Sequence, residues 1–448
     1  MAGSNNPPPP EGSIMQQYAE YYQATARDLP GRDLPWLQTL RAEATERFAA
    51  GGFPSPREEE WKYTNIVALE KKRFQPSLAG TAGTLAPAKI EAWRLPEAAA
   101  LVFVDGRFDA GLSRLEGLPD GVTVLPLTAA LAQYPERVEA AFQRVAGREP
   151  HGFVAFTTAY FQDGAFISIP AGVVLARPLQ LLHVSTRDDG LATLRHIIAL
   201  DRQAQAQVVE TYVGLDGAAY LTAAVTEIDL GEDSALDHYK FQAETDKAYH
   251  FGGIYAAEAR SARLYQHHAA FGGLLARTEI HSALGLGAEC ELNGLFLATG
   301  RRHLDTHTLI QHQAPRGTSR ETYRGIAADR ARGVFSGKVV VAQDAQKTDA
   351  DMNIRNLLLS ADAEIDAKPQ LEILADDVKC AHGVTVGQLN PQSVFYLQSR
   401  GMDEASARNM LTFAFANEMV EKIRLDGLKQ QVQDALLAAL PQAQGDWL

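Results

Sequence analysis

Two cysteines, Cys290 and Cys380, are all that the 448 residues contain, and no Cys-x-x-Cys pair exists. A zinc ribbon or a self-contained iron–sulfur site is thereby excluded, because such sites need about four ligands, most of them thiolates. A disulfide framework is not expected in a chain of this length without a secretory leader. Long apolar runs are missing too. No stretch of 18 or more uncharged apolar residues occurs, which removes a membrane-spanning helix. The opening MAGSNNPPPPEG has neither a basic nor an apolar leader region, so residues 1–15 read as a flexible Pro-rich tail and the chain as cytoplasmic. Basic residues are in deficit, 42 against 55 acidic ones, for a net charge of −13. That balance argues against a nucleic-acid partner. Two catalytic signatures are absent as well. Gly333 and Gly337 stand one residue too close for a phosphate-binding GxxxxGK[ST] loop, and Val339 follows Lys338. No GxSxG elbow is present.

What is present is a soluble, folded composition, 46% hydrophobic and 22% charged, in a chain long enough for two or three domains or one elongated one. Residues 16–98 read as an N-terminal helical domain and linker: Ile14–Thr25 and Pro35–Ala50 repeat apolar residues every three or four positions, and 76–98 are rich in Ala, Gly and Pro. From Leu101 the period changes to short apolar runs at 101–104, 122–125, 166–169 and 179–184, with helical signals only near 128–147. After about residue 165 some 220 residues offer strands and turns without a helix, unlike an α/β enzyme. Leu200, Leu230, Leu286 and Leu359 are each followed four residues later by a small residue (Ala204, Ser234, Cys290, Ala363) and two further on by Ala206, Leu236, Leu292 and Ile365. Their gaps suggest a unit of 24–30 residues, hence a β-solenoid over 99–388. Helices return over 389–448, where Asp403 caps a helix with Ala407, Met410, Leu411 and Ala414 on its apolar face, and an amphipathic stretch runs from Asp426 to Leu440.

Two constellations could carry chemistry. Cys380 and His382, at i and i+2, share a face in extended structure, where a thiol and an imidazole suit iron, zinc or copper, and a nearby imidazolium would lower the thiol pKa. The same spacing fits two ordinary strand residues. His303, Asp305 and His307, with His312 nearby, also share a face, as a metal triad or a His–carboxylate base would, or as a polar ladder on the solvent side of a solenoid. A β-helix polysaccharide-active enzyme using these three residues is the reading from another class, and it requires an open cleft.

The runs Gly333–Ser360, Lys368–Leu389 with its DDVKCAHG core, and Val394–Met402 resemble the SufB/SufD family, in its SufD form. HLDTHT at 303–308, SRETYRG at 319–325 and EWKYT at 60–64 resemble the same family. The resemblance implies a mainly β fold, a right-handed parallel β-helix core flanked by N-terminal and C-terminal helical domains. It implies a non-enzymatic scaffold for iron–sulfur cluster assembly, paired with SufB through the β-helices and with the ATPase SufC on the C-terminal helices. ATP enters only through SufC. No cofactor is held alone; a nascent cluster is shared with SufB, with His382 matching the family's functional histidine and Cys380 beside it. His303, Asp305 and His307 stay structural under this reading. Purely structural companionship of SufB is the alternative within the family. An unpaired solenoid edge leaves homodimerisation of the isolated chain open.

Overall fold

The computed structural model describes residues 16, 18, 20, 28–77, 85–142, 152–215 and 217–440. The expected Pro-rich tail, most of the Ile14–Thr25 helix, residues 78–84 of the expected linker, 143–147 of the expected helical stretch, and 441–448 of the C-terminal region lie outside them. The fold is mainly β, a parallel solenoid of about eight turns with helices at both ends.

Two ten-stranded sheets face each other, and consecutive strands alternate between them. The first sheet runs from Ala165–Ile169 to Glu364–Ile373, and the second from Ala99–Val104 through Leu179–Ser185 to Lys379–Gln388. Pairing along the solenoid is parallel, and among the described residues antiparallel ladders occur only at its start, between 103–104 and 107–108 and between 123–126 and 165–168. On the second sheet Gln205, Ala235, Arg263, Glu289, Thr318, Asp349 and Lys379 stack in register, so a coil takes between 26 and 31 residues.

The period predicted from the leucines is right, but their alignment is only half right. Leu200 and Leu230 close equivalent strands of the first sheet. The residue equivalent to them in the coil of Cys290 is Leu284, fully buried, while Leu286 is 44% exposed in the turn. Leu359 belongs to the opposite corner, leading from the second sheet into the first. What repeats is the corner itself. Gln203, Asp233, Ser261, Gly287, Arg316 and Lys347 all have φ between 55° and 65°. Each donates its N–H to a carbonyl of the following coil, of Glu232, Arg260, Leu286, Pro315, Gln346 and Asp377 in turn. Only Gly287 adopts this left-handed conformation without steric cost. The small residue just after the turn, Ala204, Ser234, Ala262 or Ala288, is fully buried at the bend, which is the signal the sequence shows.

Helices cover the outer faces of the two sheets. Pro35–Gly51 buries Leu37, Arg41, Ala44 and Phe48 on one stripe. It packs on Gly152–Tyr160, with the Phe48 and Phe156 rings 5.2 Å apart. That second helix was not foreseen: Phe153 through Tyr160 are all buried, so no polar face marks a helical period. Phe153 stacks on Phe251 at 3.8 Å and seats it on the first sheet. The stretch read as a linker carries two single-turn 3₁₀ helices, Pro87–Lys89 and Glu91–Trp93, around a fully buried Ile90. At the C-terminus Asp403 does cap its helix, its Oδ1 accepting from Ser406 N at 2.9 Å. The buried face of Glu404–Val420 is not the expected one, however. Ala407 is on it, but Met410 and Leu411 are only half-buried and Ala414 is exposed, while Phe413, Ala416, Met419 and Val420 pack against Tyr239, Phe241, Tyr265 and Leu295. Polar Ser406, Asn409 and Thr412 also face inward, which a purely apolar count misses.

Candidate functional site

The solenoid stops at Glu364–Ile373 and Lys379–Gln388, each paired on one side only among the described residues. In the last coil Cys380 stacks on Ala350, His382 on Met352 and Val384 on Ile354. Those three partners are buried in the lumen core. Side chains at alternate positions share a face, so Cys380, His382 and Val384 continue the inward columns to the point where the lumen opens. His382 is exposed there and Cys380 half-buried. The expectation that the two share a face is met. The expectation of an activated thiol is not: partial burial and the charge of Asp349 push the Cys380 thiol up, only partly offset by a hydrogen bond with the Ala350 backbone. No His382 contribution lowers it. Among the described residues no group of three or more His, Cys, Asp and Glu could hold a metal ion. Cys380 and His382 alone offer two donor atoms, fewer than a metal ion needs. Cys290 lies in the same inner column, through Ser319 and Ala350. It is fully enclosed, and burial with the Glu258 charge holds its thiol well above the ordinary value.

His303, Asp305 and His307 also share a face, but it is not a solvent face. Residues 58–64 lie across it. Thr64 Oγ1 is 2.9 Å from His303 Nε2 and donates to Asp305 Oδ2 at 2.5 Å. Arg277 donates through Nη1 to Asp305 at 2.8 Å and to the Glu60 carbonyl at 2.8 Å, and through Nε and Nη2 to Glu279. Burial raises the Asp305 carboxyl, but His307 and Arg277 overcome this and hold it well below the carboxylate range. His303 is pushed down by burial, and His307 up because Asp305 outweighs burial and Arg277. The group is an ionic network covered by residues 58–64, with a groove of about 590 Å³ beside His307 and, among the described residues, no cluster that could hold a metal ion. His312 points the other way, into the lumen, with Nε2 2.9 Å from Ser319 Oγ, and burial lowers it to about 4.

Residues 183–415 match the family described as "SUF system FeS cluster assembly, SufBD core domain", and residues 12–181 match "SufBD protein N-terminal region". The chain is 33% identical over 423 residues to the iron–sulfur cluster assembly protein SufD of Escherichia coli, covering 91% of this chain and 96% of that one. The chain belongs to the SufBD family. A SufBD-family iron–sulfur cluster assembly protein of Synechocystis is 32% identical, over 89% of this chain and 90% of its own length. The chloroplastic protein ABCI7 of Arabidopsis thaliana is 26% identical over 93% of this chain and 89% of that one.

The SufBD lumen holds one feature that the sequence reading passed over. Glu210, His238, Lys240, Glu244 and His250 are fully buried inside the early coils. Glu210 Oε1 lies 3.0 Å from His238 Nε2 and accepts from Thr226 Oγ1 at 2.6 Å, and its Oε2 accepts from Tyr212 OH at 2.5 Å. Glu244 Oε2 faces His250 Nδ1 at 2.9 Å. The signal was available in DHYKFQAE, Asp237–Glu244, where polar residues alternate with aromatic ones. Alternation says that two faces differ. It does not say which is wet. Here Tyr239 and Phe241 face the C-terminal helices, and the polar set faces inward.

Proposed function

We propose that this chain is a scaffold subunit of a cytoplasmic SUF complex, supporting iron–sulfur cluster assembly where its terminal coil meets SufB. The observation that carries the reading is the stacking of Cys380 and His382 at the open end of the lumen, flanked by strand edges that have no partner among the described residues. Strand edges left open pair readily with another chain. His382 supplies an imidazole, Cys380 a thiol, and SufB the remaining ligands of a cluster that is cargo rather than resident cofactor. Such mixed ligation, with a neutral imidazole in place of a thiolate, favours release over retention. SufC docks on the C-terminal helices 391–439 and supplies the ATP dependence. The test is His382→Ala in the complex reconstituted with SufB and SufC. Assembly of the complex is expected to persist while cluster formation, followed by its visible absorbance, falls by about tenfold or more, since losing even a partner that orients a ligand costs a metal site that much. Unchanged cluster yield would refute the role of His382.

The raised Cys380 thiol favours a second reading for that residue alone, as a lumen cap instead of a ligand. Cys380→Ser together with Cys380→Ala separates the two. A ligand loses cluster yield in both variants, while a cap loses it in neither.

A further inference from the structure

Residues 58–64 are held on the solenoid by two kinds of contact. One kind does not titrate: Trp61 is buried, with the Arg277 guanidinium 3.8 Å from its ring centroid and Phe153 stacked at 5.5 Å. The other kind runs through His307. Its Nε2 lies 2.9 Å from Arg277 Nη1 and 3.0 Å from Asp305 Oδ1, and its Nδ1 lies 3.5 Å from Glu60 Oε2. One ring nitrogen cannot both accept from the guanidinium and donate to the carboxylate. In the neutral ring Nε2 accepts from Arg277 and Asp305 Oδ1 has no hydrogen bond, while Nδ1 keeps its proton and its contact with Glu60 lacks only the ring's charge. In the protonated ring both nitrogens donate, Nε2 to Asp305 and Nδ1 to Glu60, and the ring becomes an ion-pair bridge between the wall and the segment. Beside this bridge the segment walls a groove of about 590 Å³, floored by His281, Gln311, Ser336 and Lys338.

We propose that residues 58–64 form a pH-sensitive strap over this groove, clamped through protonated His307 and loosened at Glu60 when the ring loses its proton. The charged groups acting on the ring are Asp305 of its own strand, Arg277 of the neighbouring strand and Glu60 of the strap; Glu58, Glu59, Glu279, His281 and Lys338 line the groove beside it, and His303 lies next to Asp305. Lys368, one strand further, binds Glu59 at 2.5 Å and holds the strap's outer end at all pH values near neutrality. Asp305 and Glu60 together raise the ring's proton affinity above the ordinary histidine value of 6.5. The ion-pair part of the clamp is therefore complete below that value, and is lost as pH rises through the higher folded-state value. Glu59, Trp61 and Thr64 stay seated, so loosening is confined to the Glu60 contact between them.

Hydrogen–deuterium exchange of the full chain, corrected for intrinsic rates, tests this at about pH 6 and about pH 8.5. Protection of 58–61 is expected to fall about two- to fivefold between them, the range of a partly exposed ion pair, with the strand Ala99–Val104 unchanged. Glu60→Gln, at an exposed position that leaves the buried network intact, is expected to show the lower protection at both pH values. A flat wild-type profile, or a Glu60→Gln profile that still falls, overturns the proposal.

Discussion

Lys240 is the one lysine enclosed in the solenoid lumen, among the described residues, and removing its charge should make the protein more stable. It stacks in register between Glu210 and His268. A Cβ on Gly252 would stand 2.0 Å from its Nζ, so the ammonium occupies room left by a missing side chain. Burial lowers its pKa from 10.5 to about 8, despite the attraction of Glu210 and Glu244. At roughly 1.36 kcal/mol per pH unit, that gap means that keeping the charge inside costs about 3 kcal/mol at neutral pH. A base with a depressed pKa binds fewer protons when folded, so the cost is full below about 8 and fades as pH climbs towards 10.5.

Lys240→Met keeps most of the side-chain volume and discards the charge. The two glutamates do not depend on the lysine alone. Glu210 keeps His238, Thr226 and Tyr212, and Glu244 keeps His250, Gln242 and Thr222. The cost of about 3 kcal/mol already counts the attraction of Glu210 and Glu244, so it is the quantity that the substitution removes. The expected gain is about 2–3 kcal/mol at pH 7, read as a higher urea midpoint with an unchanged m value. Wild-type stability should rise relative to the variant between about pH 8 and 10, until the two converge. A variant less stable than wild type by about 1 kcal/mol or more would refute the reasoning, because it would mean that the ammonium is what holds the two carboxylates.

Asp305→Asn should destabilise the chain by about 3 kcal/mol, the low end for breaking a buried pair, since Arg277 keeps both of its bonds to Glu279; denaturant midpoints read this, and limited proteolysis should cut sooner near 58–64. The loss should shrink towards low pH. The Asp305 carboxyl is depressed, so its contribution is present above the ordinary carboxylate value and disappears as pH falls through the folded one. Asp403→Ala removes the cap whose Oδ1 and Oδ2 accept from Ser406 N and Oγ. It should loosen the first turn of the helix, visible as faster amide exchange at 404–407 with the strands untouched.

How much of this was legible in the sequence depended on whether a pattern named its own surroundings. The solenoid was legible because every coil must turn twice, and the turn leaves a small residue behind an αL position, as at Ala204 and Ser234. The turn register slipped at Leu286 because Gly285 and Gly287 flank an exposed leucine that mimics a buried one. The helix Gly152–Tyr160 was invisible because apolar residues surround it. The faces of Asp237–Glu244 and His303–His307 were visible as alternations, yet what covers an outer face is set by chain from 200 residues away. Glu60 and Thr64 bury the 303–307 ladder, and nothing local to the ladder encodes that. Cys380 and His382 were placed on one face by spacing alone. That this face looks down an open lumen follows only from counting coils to the end of the stack.

The end of the stack is also where two identical side chains part company. Cys290 and Cys380 occupy the same inner column, three strands apart, in the same backbone conformation. A further coil covers Cys290, which is fully buried and held as a thiol, while nothing covers Cys380 among the described residues. A solenoid that ends in this way leaves inward-facing groups without a ceiling, and terminal coils normally carry a polar cap for that reason. Here the C-terminal helices pack against the outer wall of the second sheet rather than over the end. Ile373, Leu374 and Val386 remain exposed around the last coil at 40%, 58% and 45%. Apolar groups and open strand edges in one place carry a cost in water that another chain's coil would remove. Under the proposed function the thiol and imidazole at that rim act only once it is closed, so the His382 substitution is to be read in the assembled complex and not in the isolated chain.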